Sequence, residues 1–376
     1  MEYRFSTDSD RQDILDFINL IFSQIRQPHD FGTLIPKAYA PDARDGGIHA
    51  LAIRDGRIRG CVGVYPFPLN VAGVALNVGY VGSVSVHPTE RGAGVMRQLM
   101  DMQYERARDE GLDMLALGGQ RQRYEHYGFT PCGGQYRYGV NAANMRKALG
   151  GVQTGDIAFE PLAPGEAEAY AFALYSRQPV CGARTAEGFI RAAMSFHGQP
   201  FLVRRNGLPA GYLIASGNDL RELAMEEAAL NTATVKAWLA FRGVNDITVL
   251  AAPHDVALNR ALAAFAEGYT LSQNGMYKCL RPERVIRAYL GLKNQVSPLS
   301  DGAFTLKIED EASLRLAVKG GQVAVEETDE AAGPPLTWPE AMQLLFGFNR
   351  FYAPAQACAP ANWFPLPLSI PVADTF

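Results

Sequence analysis

At 376 residues the chain exceeds what one hydrophobic core ordinarily organises, so two or three domains are expected, and 48% hydrophobic with 20% charged residues can bury those cores unaided. A net charge of −4 with dispersed Lys and Arg leaves no basic block for a nucleic-acid backbone and excludes such a partner. Five scattered cysteines without a CxxC pair and six histidines without ligand spacing exclude a disulfide framework and a metal site. The start, Met1-Glu2-Tyr3-Arg4-Phe5, lacks an apolar leader and no run reaches membrane-spanning length, so a cytoplasmic protein without a membrane partner is expected.

In chain order, residues 8–23 place Ile14, Leu15, Phe17, Ile18, Ile21 and Phe22 at helical spacing. Strands are predicted over His49–Ile53, Gly60–Val64 and Val74–Val86, punctuated by turn residues such as Arg54-Asp55-Gly56. A helix over Gly94–Glu110 carries Met96, Leu99, Met100, Tyr104 and Ala107 on one face, with Gly111 closing it, and Leu112–Leu117 reads as a short buried strand.

The pattern breaks near Leu149-Gly150-Gly151. Helices follow over 164–176 and 186–196, then strands over Phe201–Arg204, Ala210–Ala215 and Leu220–Met225. A helix (Thr232–Arg242), a strand (Asp246–Ala251) and a helix (Ala257–Glu267) complete a series that repeats the element order of the first segment. Asn231-Thr232 is read as the N-cap of the first of these helices. From about Val285 the pattern changes again, to strands over Phe304–Glu309, Leu314–Val318 and Gln322–Val325 and a helix over Pro339–Phe346. The tail Phe364-Pro365-Leu366-Pro367-Leu368-Ser369-Ile370-Pro371 is too rich in proline for a central strand and too apolar to dangle, so it should be packed.

The chemistry points to one place. The apolar run Val84-Ser85-Val86 enters His87-Pro88-Thr89-Glu90-Arg91-Gly92-Ala93-Gly94-Val95-Met96, and that turn opens the amphipathic helix. Such a turn aims free backbone N–H groups at one spot on the positive end of the helix dipole, a seat for a phosphate or pyrophosphate. No Arg-Gly-x-Gly follows Leu223-Ala224-Met225-Glu226-Glu227, so residues 149–284 lack a second seat. Downstream, Arg123-Tyr124-Glu125-His126-Tyr127-Gly128-Phe129 offers Tyr124 as a phenol donor, with Tyr127 as a packing residue. His87 reads as a strand-end residue held by backbone, with an alternative role as base; His126 reads as exposed; Cys132 as a small buried residue. Asp30, Glu125 and Asp374 are read as solvated carboxylates.

Arg91-Gly92-Ala93-Gly94-Val95-Met96 resembles the Arg/Gln-x-x-Gly-x-Gly/Ala turn of the GNAT superfamily of N-acetyltransferases, with Met96 at the third fixed position, and Tyr124 to Phe129 resembles that superfamily's Tyr-x-x-x-Gly-Phe segment. The three-part plan, the bulky Met96 and the terminal Phe376 resemble the enhanced intracellular survival family. That resemblance implies a mixed α+β and α/β architecture: an active GNAT domain over 1–148, a degenerate one over 149–284, and an α+β sterol-carrier-protein-like domain over 285–376. It implies direct acetyl transfer from acetyl-CoA, without metal, to a small-molecule primary amine (aminoglycoside-like, polyamine-like or a peptide lysine). Tyr124 would be general acid and the carboxylate of Phe376 general base. Arg91, Gly92, Ala93, Gly94, Val95 and Met96 would hold the pyrophosphate. Val84, Ser85 and Val86 would line the pantetheine arm, with Gln120 beside it. The family also implies a homo-oligomer, a hexamer. Two other readings follow from the residues. Trp338, Phe346, Phe348, Phe351 and Trp363 could line a lipid or acyl cavity in the last domain. Gly92-Ala93-Gly94 could belong to a dinucleotide-binding oxidoreductase, against which stands the missing third glycine.

Overall fold

The computed structural model describes residues 1–24, 27–43, 46–309, 311–330, 333–348 and 360–376. Over these described residues it is a mixed α/β structure built on three sheets. The first, eight-stranded, runs Glu2–Phe5, His49–Arg54, Arg57–Val71, Val74–Val86, Met114–Leu117, Gly275–Cys279 and Thr130–Cys132, with Val180–Gly182 attached to the far end of Arg57–Val71. The second, seven-stranded, runs Gly268–Ser272, Gln135–Asn141, Asp246–Ala251, Asp219–Met225, Leu208–Ser216, Gln199–Arg205 and Ile157–Pro161. Within each, the described strands pair antiparallel except once: Val74–Val86 runs parallel to Met114–Leu117, and Asp219–Met225 parallel to Asp246–Ala251. The third sheet is an antiparallel meander of Gly302–Ile308, Ala312–Lys319 and Gln322–Glu327.

The first two sheets trade strands. Gln135–Asn141 follows Thr130–Cys132 in the chain yet pairs in the second sheet, between Asp246–Ala251 and Gly268–Ser272. Gly275–Cys279 then returns to the first sheet, between Met114–Leu117 and Thr130–Cys132. Neither sheet is complete within one continuous stretch of sequence.

The predicted helices appear as Arg11–Ser23, Val95–Asp109, Glu166–Ser176, Phe189–Ala193, Asn231–Arg242, Val256–Ala263 and Trp338–Phe346. Val95, Leu99, Met100, Gln103 and Ala107 form the buried face of Val95–Asp109, while Met96 and Tyr104 are half-buried. Gly111, at φ 68°, lets the Leu112 N–H reach the Ala107 carbonyl, which closes that helix. Asn231 is the first helical residue rather than a cap, because a short turn over Ala228–Leu230 leads directly into it. The second predicted strand is much longer than Gly60–Val64. It continues to Val71 through Pro66 and Pro68, which are tolerated because the neighbouring strand His49–Arg54 ends opposite Gly63 and, among the described residues, that edge is free until Val180–Gly182 pairs at Leu69. The helix Pro282–Val296, not anticipated, buries Val285, Ile286, Tyr289 and Leu292 in a core shared by the first and third sheets. The proline-rich tail is packed, with Trp363, Leu366, Leu368 and Ile370 all in that core.

Candidate active site

The site begins where two parallel strands part. Val78, Gly79 and Tyr80 pair with Met114, Leu115 and Ala116, and the pairing stops there. Val81–Val86 continues with that edge open, facing the segment Gly118–Tyr124 that follows Met114–Leu117. A bulge sharpens the divergence: Gly82 pairs with Gly63 and Ser85 with Cys61, so Ser83 and Val84 together oppose Val62. Ser83 takes φ 55°, an uncommon value for a side-chain-bearing residue. Its hydroxyl is held by the Tyr65 hydroxyl at 2.8 Å and the Tyr39 hydroxyl at 2.5 Å, and its carbonyl accepts from the Ser85 hydroxyl at 3.1 Å. His49 Nε2 joins the same buried group at 2.9 Å from the Tyr65 hydroxyl. This polar cluster was not legible in the sequence, because its members come from four separate segments.

The turn after the strand is fixed from below. Glu90 is buried and receives a hydrogen bond from Arg54 Nη1 at 3.0 Å. The His87 ring Nδ1 lies 2.8 Å from the Thr89 hydroxyl and accepts from the Thr89 N–H at 3.3 Å, so His87 shapes the turn. Gly92 and Gly94 adopt φ 81° and 75°, and a Cβ at either would meet nothing within 4 Å. Glycine is needed there for backbone conformation, not for room. The helix Val95–Asp109 opens at Gly94 without a side-chain cap, and the N–H groups of Gly92, Gly94, Val95, Met96 and Arg97 have no acceptor among the described residues. Arg91 through Gly94 are exposed.

Across the cleft, Tyr124 ends the short helix Arg121–Tyr124, preceded by the exposed Gly118–Gln120. Its ring packs edge-on against Phe129 and rests on Gly119, where a Cβ would fall 2.9 Å from Cε2. Burial raises its hydroxyl pKa, against the opposing pull of Arg123, so the phenol holds its proton through neutral pH. Tyr127 packs instead: it is half-buried, and its carbonyl accepts from Lys278 Nζ at 3.0 Å and the Tyr104 hydroxyl at 2.9 Å. His126 and Glu125 are exposed, and Glu125 pairs with Arg121. Asp30 caps the helix Phe31–Leu34 through the N–H groups of Gly32 and Thr33.

The last residue enters the same cleft. The Phe376 ring stacks on Tyr65 with centroids 4.7 Å apart and planes 7° from parallel. Its main-chain carbonyl carbon lies 3.8 Å from where a Cβ would stand on Gly82, immediately before the bulge. Tyr80 bridges the two sides, its ring 6.1 Å from Phe376 and its hydroxyl bonded to the Thr375 side chain and the Gly118 backbone. Lys37 Nζ sits 3.9 Å from the Phe376 ring centroid and donates to the Ala373 carbonyl at 2.8 Å.

Asp374 corrects the sequence reading. It is 3% exposed rather than solvated, and accepts from Arg184 Nε at 2.7 Å and the Tyr175 hydroxyl at 2.6 Å. Arg184 also grips Glu222 through both terminal nitrogens at 2.9 and 2.8 Å, and Glu222 accepts from the Tyr212 hydroxyl at 2.6 Å. A carboxylate whose cation lies 190 positions away carries no local signal of its pairing.

Elsewhere, Cys61, Cys132, Cys181 and Cys279 are buried, and burial pushes the Cys132 thiol well up. Phe346 and Trp363 are in the core, Trp338 and Phe348 half-buried; Phe351 and Cys358 lie outside the described residues. Among the described residues no cluster of His, Cys, Asp or Glu could hold a metal ion, and no helix is long and apolar enough to cross a membrane.

Residues 2–132 match a protein family described as an acetyltransferase (GNAT) domain. No curated protein matches the sequence. Among solved structures the chain is similar to a GCN5-related N-acetyltransferase from Anabaena variabilis (TM-score 0.65, 14% identity, 91% of this chain and 88% of that one). It is also similar to a GCN5-related N-acetyltransferase from Kribbella flavida (0.62, 17%, 88% and 85%) and to Eis1 from Mycobacterium abscessus (0.60, 16%, 91% and 88%). At such identities these likenesses speak for the fold. The domain match over residues 2–132, which contains the cleft, the turn and Tyr124, makes this chain an N-acetyltransferase with a GNAT domain at its N-terminal end.

Proposed function

We propose that the protein transfers acetyl from acetyl-CoA to a primary amine of a small molecule or peptide lysine, by direct attack in the cleft between Val81–Val86 and Gly118–Tyr124. The observation that carries this reading is the placement of Phe376, whose carbonyl carbon lies beside Gly82 at the mouth of the same cleft. The free N–H groups of the Arg91–Met96 turn, with the Arg91 cation, suit a pyrophosphate. The open edge of Val84, Ser85 and Val86 suits a pantetheine arm that pairs with it as an added strand, with Gln120 on the opposite wall.

Catalysis is then chiefly positioning. The Phe376 carboxylate takes a proton from the acceptor ammonium. The freed amine nitrogen bonds to the thioester carbon, the oxyanion is held by a backbone N–H of the strand, the C–S bond breaks as Tyr124 protonates the departing thiolate, and the second proton on the nitrogen passes through solvent to restore the Tyr124 phenol, leaving the neutral amide.

The second sheet repeats the splayed arrangement without the seat, which supports a degenerate second GNAT domain. A sterol-carrier-like third domain and assembly as a hexamer belong to the same reading, and a sizing column tests the latter. The main test is release of CoA thiol from acetyl-CoA with a panel of aminoglycosides, polyamines and lysine peptides. Amine-dependent release supports the proposal; no release with any amine, together with no binding of acetyl-CoA, overturns it.

A further inference from the structure

Tyr80 stands at the closed end of the cleft. It is the last residue of Val74–Val86 to pair with the parallel neighbour, opposite Ala116, and the two strands part immediately after it. On its other side the strand keeps an unbroken register with Arg57–Val71: Tyr80 opposes Tyr65, Val81 opposes Val64 and Gly82 opposes Gly63. Side chains alternate along such a run, so Tyr80 projects from the face on which Gly82 lacks a side chain, and Val81 from the opposite face.

That face is walled by three aromatic rings. Tyr65 stacks on Phe376 with centroids 4.7 Å apart, and Tyr80 lies 6.1 Å from Phe376 with its plane tilted by 45°. A Cβ on Gly82 would fall 3.0 Å from Tyr65 Cε2 and 3.8 Å from the Phe376 carbonyl carbon, so little height is left above the strand. The Tyr80 ring is pinned at its far end. Its hydroxyl is hydrogen-bonded to the Thr375 side chain and the Gly118 backbone, and lies 3.3 Å from where a Cβ would stand on Gly118, the first residue after Met114–Leu117. At 8% exposure, Tyr80 spans the gap between the two strands where that gap begins. On the opposite face Val81 is buried in one cluster with Leu115, Leu117 and Phe129.

The direction of the donor follows from the order of its contacts. With the pyrophosphate at Arg91–Met96 and the pantetheine arm along Val86, Ser85 and Val84, the arm runs toward lower residue numbers. Its thioester then lies beside the bulge, where Phe376 stands, and its acyl group points on toward Tyr80. Two residues of strand, roughly 7 Å, separate Gly82 from Tyr80. An acetyl group fits in that distance. A longer chain runs into the ring and into the paired strands behind it.

We propose that Tyr80 sets the length of the acyl group the cleft accepts, admitting acetyl and turning away medium-chain acyl donors. The proposal rests on the acetyl-transfer reading and adds a donor selectivity to it. Truncating the ring leaves a hollow beside Phe376 at the end of the acyl path, because a core closes only partly over such a hole. Further methylene groups would fill it.

The test is calorimetric binding of acetyl-CoA and hexanoyl-CoA to the full chain without an acceptor amine. The unaltered protein should prefer acetyl-CoA by roughly tenfold or more, the penalty of overfilling a packed site. Tyr80→Ala should bring the two donors to similar affinity. Tyr80→Leu, which removes less volume, carries the same expectation if the alanine variant does not fold. Equal binding of both donors by the unaltered protein, or an undiminished preference in the truncated variant, overturns the inference and leaves the acetyl-transfer reading standing. Binding of neither donor overturns that reading and this inference with it.

Discussion

Phe376 lies face to face on Tyr65, 4.7 Å away, and Tyr65 in turn holds the hydroxyl of Ser83 at the bulge that opens the cleft. One side chain therefore fixes both the strand that lines the cleft and the residue proposed as its base. Aromatic stacking of this kind contributes about 0.5–1.5 kcal/mol beyond area burial. The Phe376 backbone is placed by what precedes it: Asp374 on Arg184 and Ala373 on Lys37.

Replacing Tyr124 by Phe removes the proton donor and little else, since the ring remains against Gly119 and Phe129. kcat should fall roughly 10²- to 10⁴-fold, with acetyl-CoA affinity unchanged by calorimetry. An unaltered kcat would assign the proton to another group.

Gly82→Ala should act on the base without touching the turn. The new methyl would sit 3.0 Å from Tyr65 Cε2 and 3.8 Å from the Phe376 carbonyl carbon. Overpacking of this kind costs about 1–3 kcal/mol, and kcat should drop while the Kd for acetyl-CoA holds. By contrast, Gly94→Ala has open space but a φ of 75°, so its cost is strain of about 1–2 kcal/mol. It should raise the Kd for acetyl-CoA by roughly tenfold.

Arg184→Ala leaves the buried Asp374 and the half-buried Glu222 without their shared cation. Removing one partner of a buried pair costs about 3–5 kcal/mol, which urea unfolding should register as a lower midpoint at unchanged slope. Asp374→Asn is milder and should loosen Phe376, lowering kcat more than stability. Loss of stability with full kcat would separate the anchor from the chemistry.

Lys37 gives a pH signature. Burial lowers its pKa from 10.5 to about 7 in the folded chain. Between those values the unfolded chain binds a proton that the folded chain does not, so this group makes stability rise with pH across that window and fall as pH drops toward 7. Urea titrations of Lys37→Met should show a flatter stability profile between pH 7 and 10. An identical slope in both proteins would mean that Lys37 titrates normally.

The glycine turn and the helix behind it were legible because a few neighbouring residues determine them: Gly92 and Gly94 by positive φ, and Val95–Asp109 by its periodic apolar face. The exchange of Gln135–Asn141 and Gly275–Cys279 between sheets was not, because short strands take their sheet from distant partners rather than from their own composition. The same holds for Asp374: its burial depends on Arg184, Tyr175 and the packed tail, none of which the residues around it announce.

The most direct test of the account extends the chain by one glycine beyond Phe376 and compares kcat and acetyl-CoA affinity with the unextended protein. Moving the carboxylate away from Gly82 should lower kcat at least a hundredfold while acetyl-CoA binds as before. A full kcat in the extended protein would contradict the role assigned to Phe376.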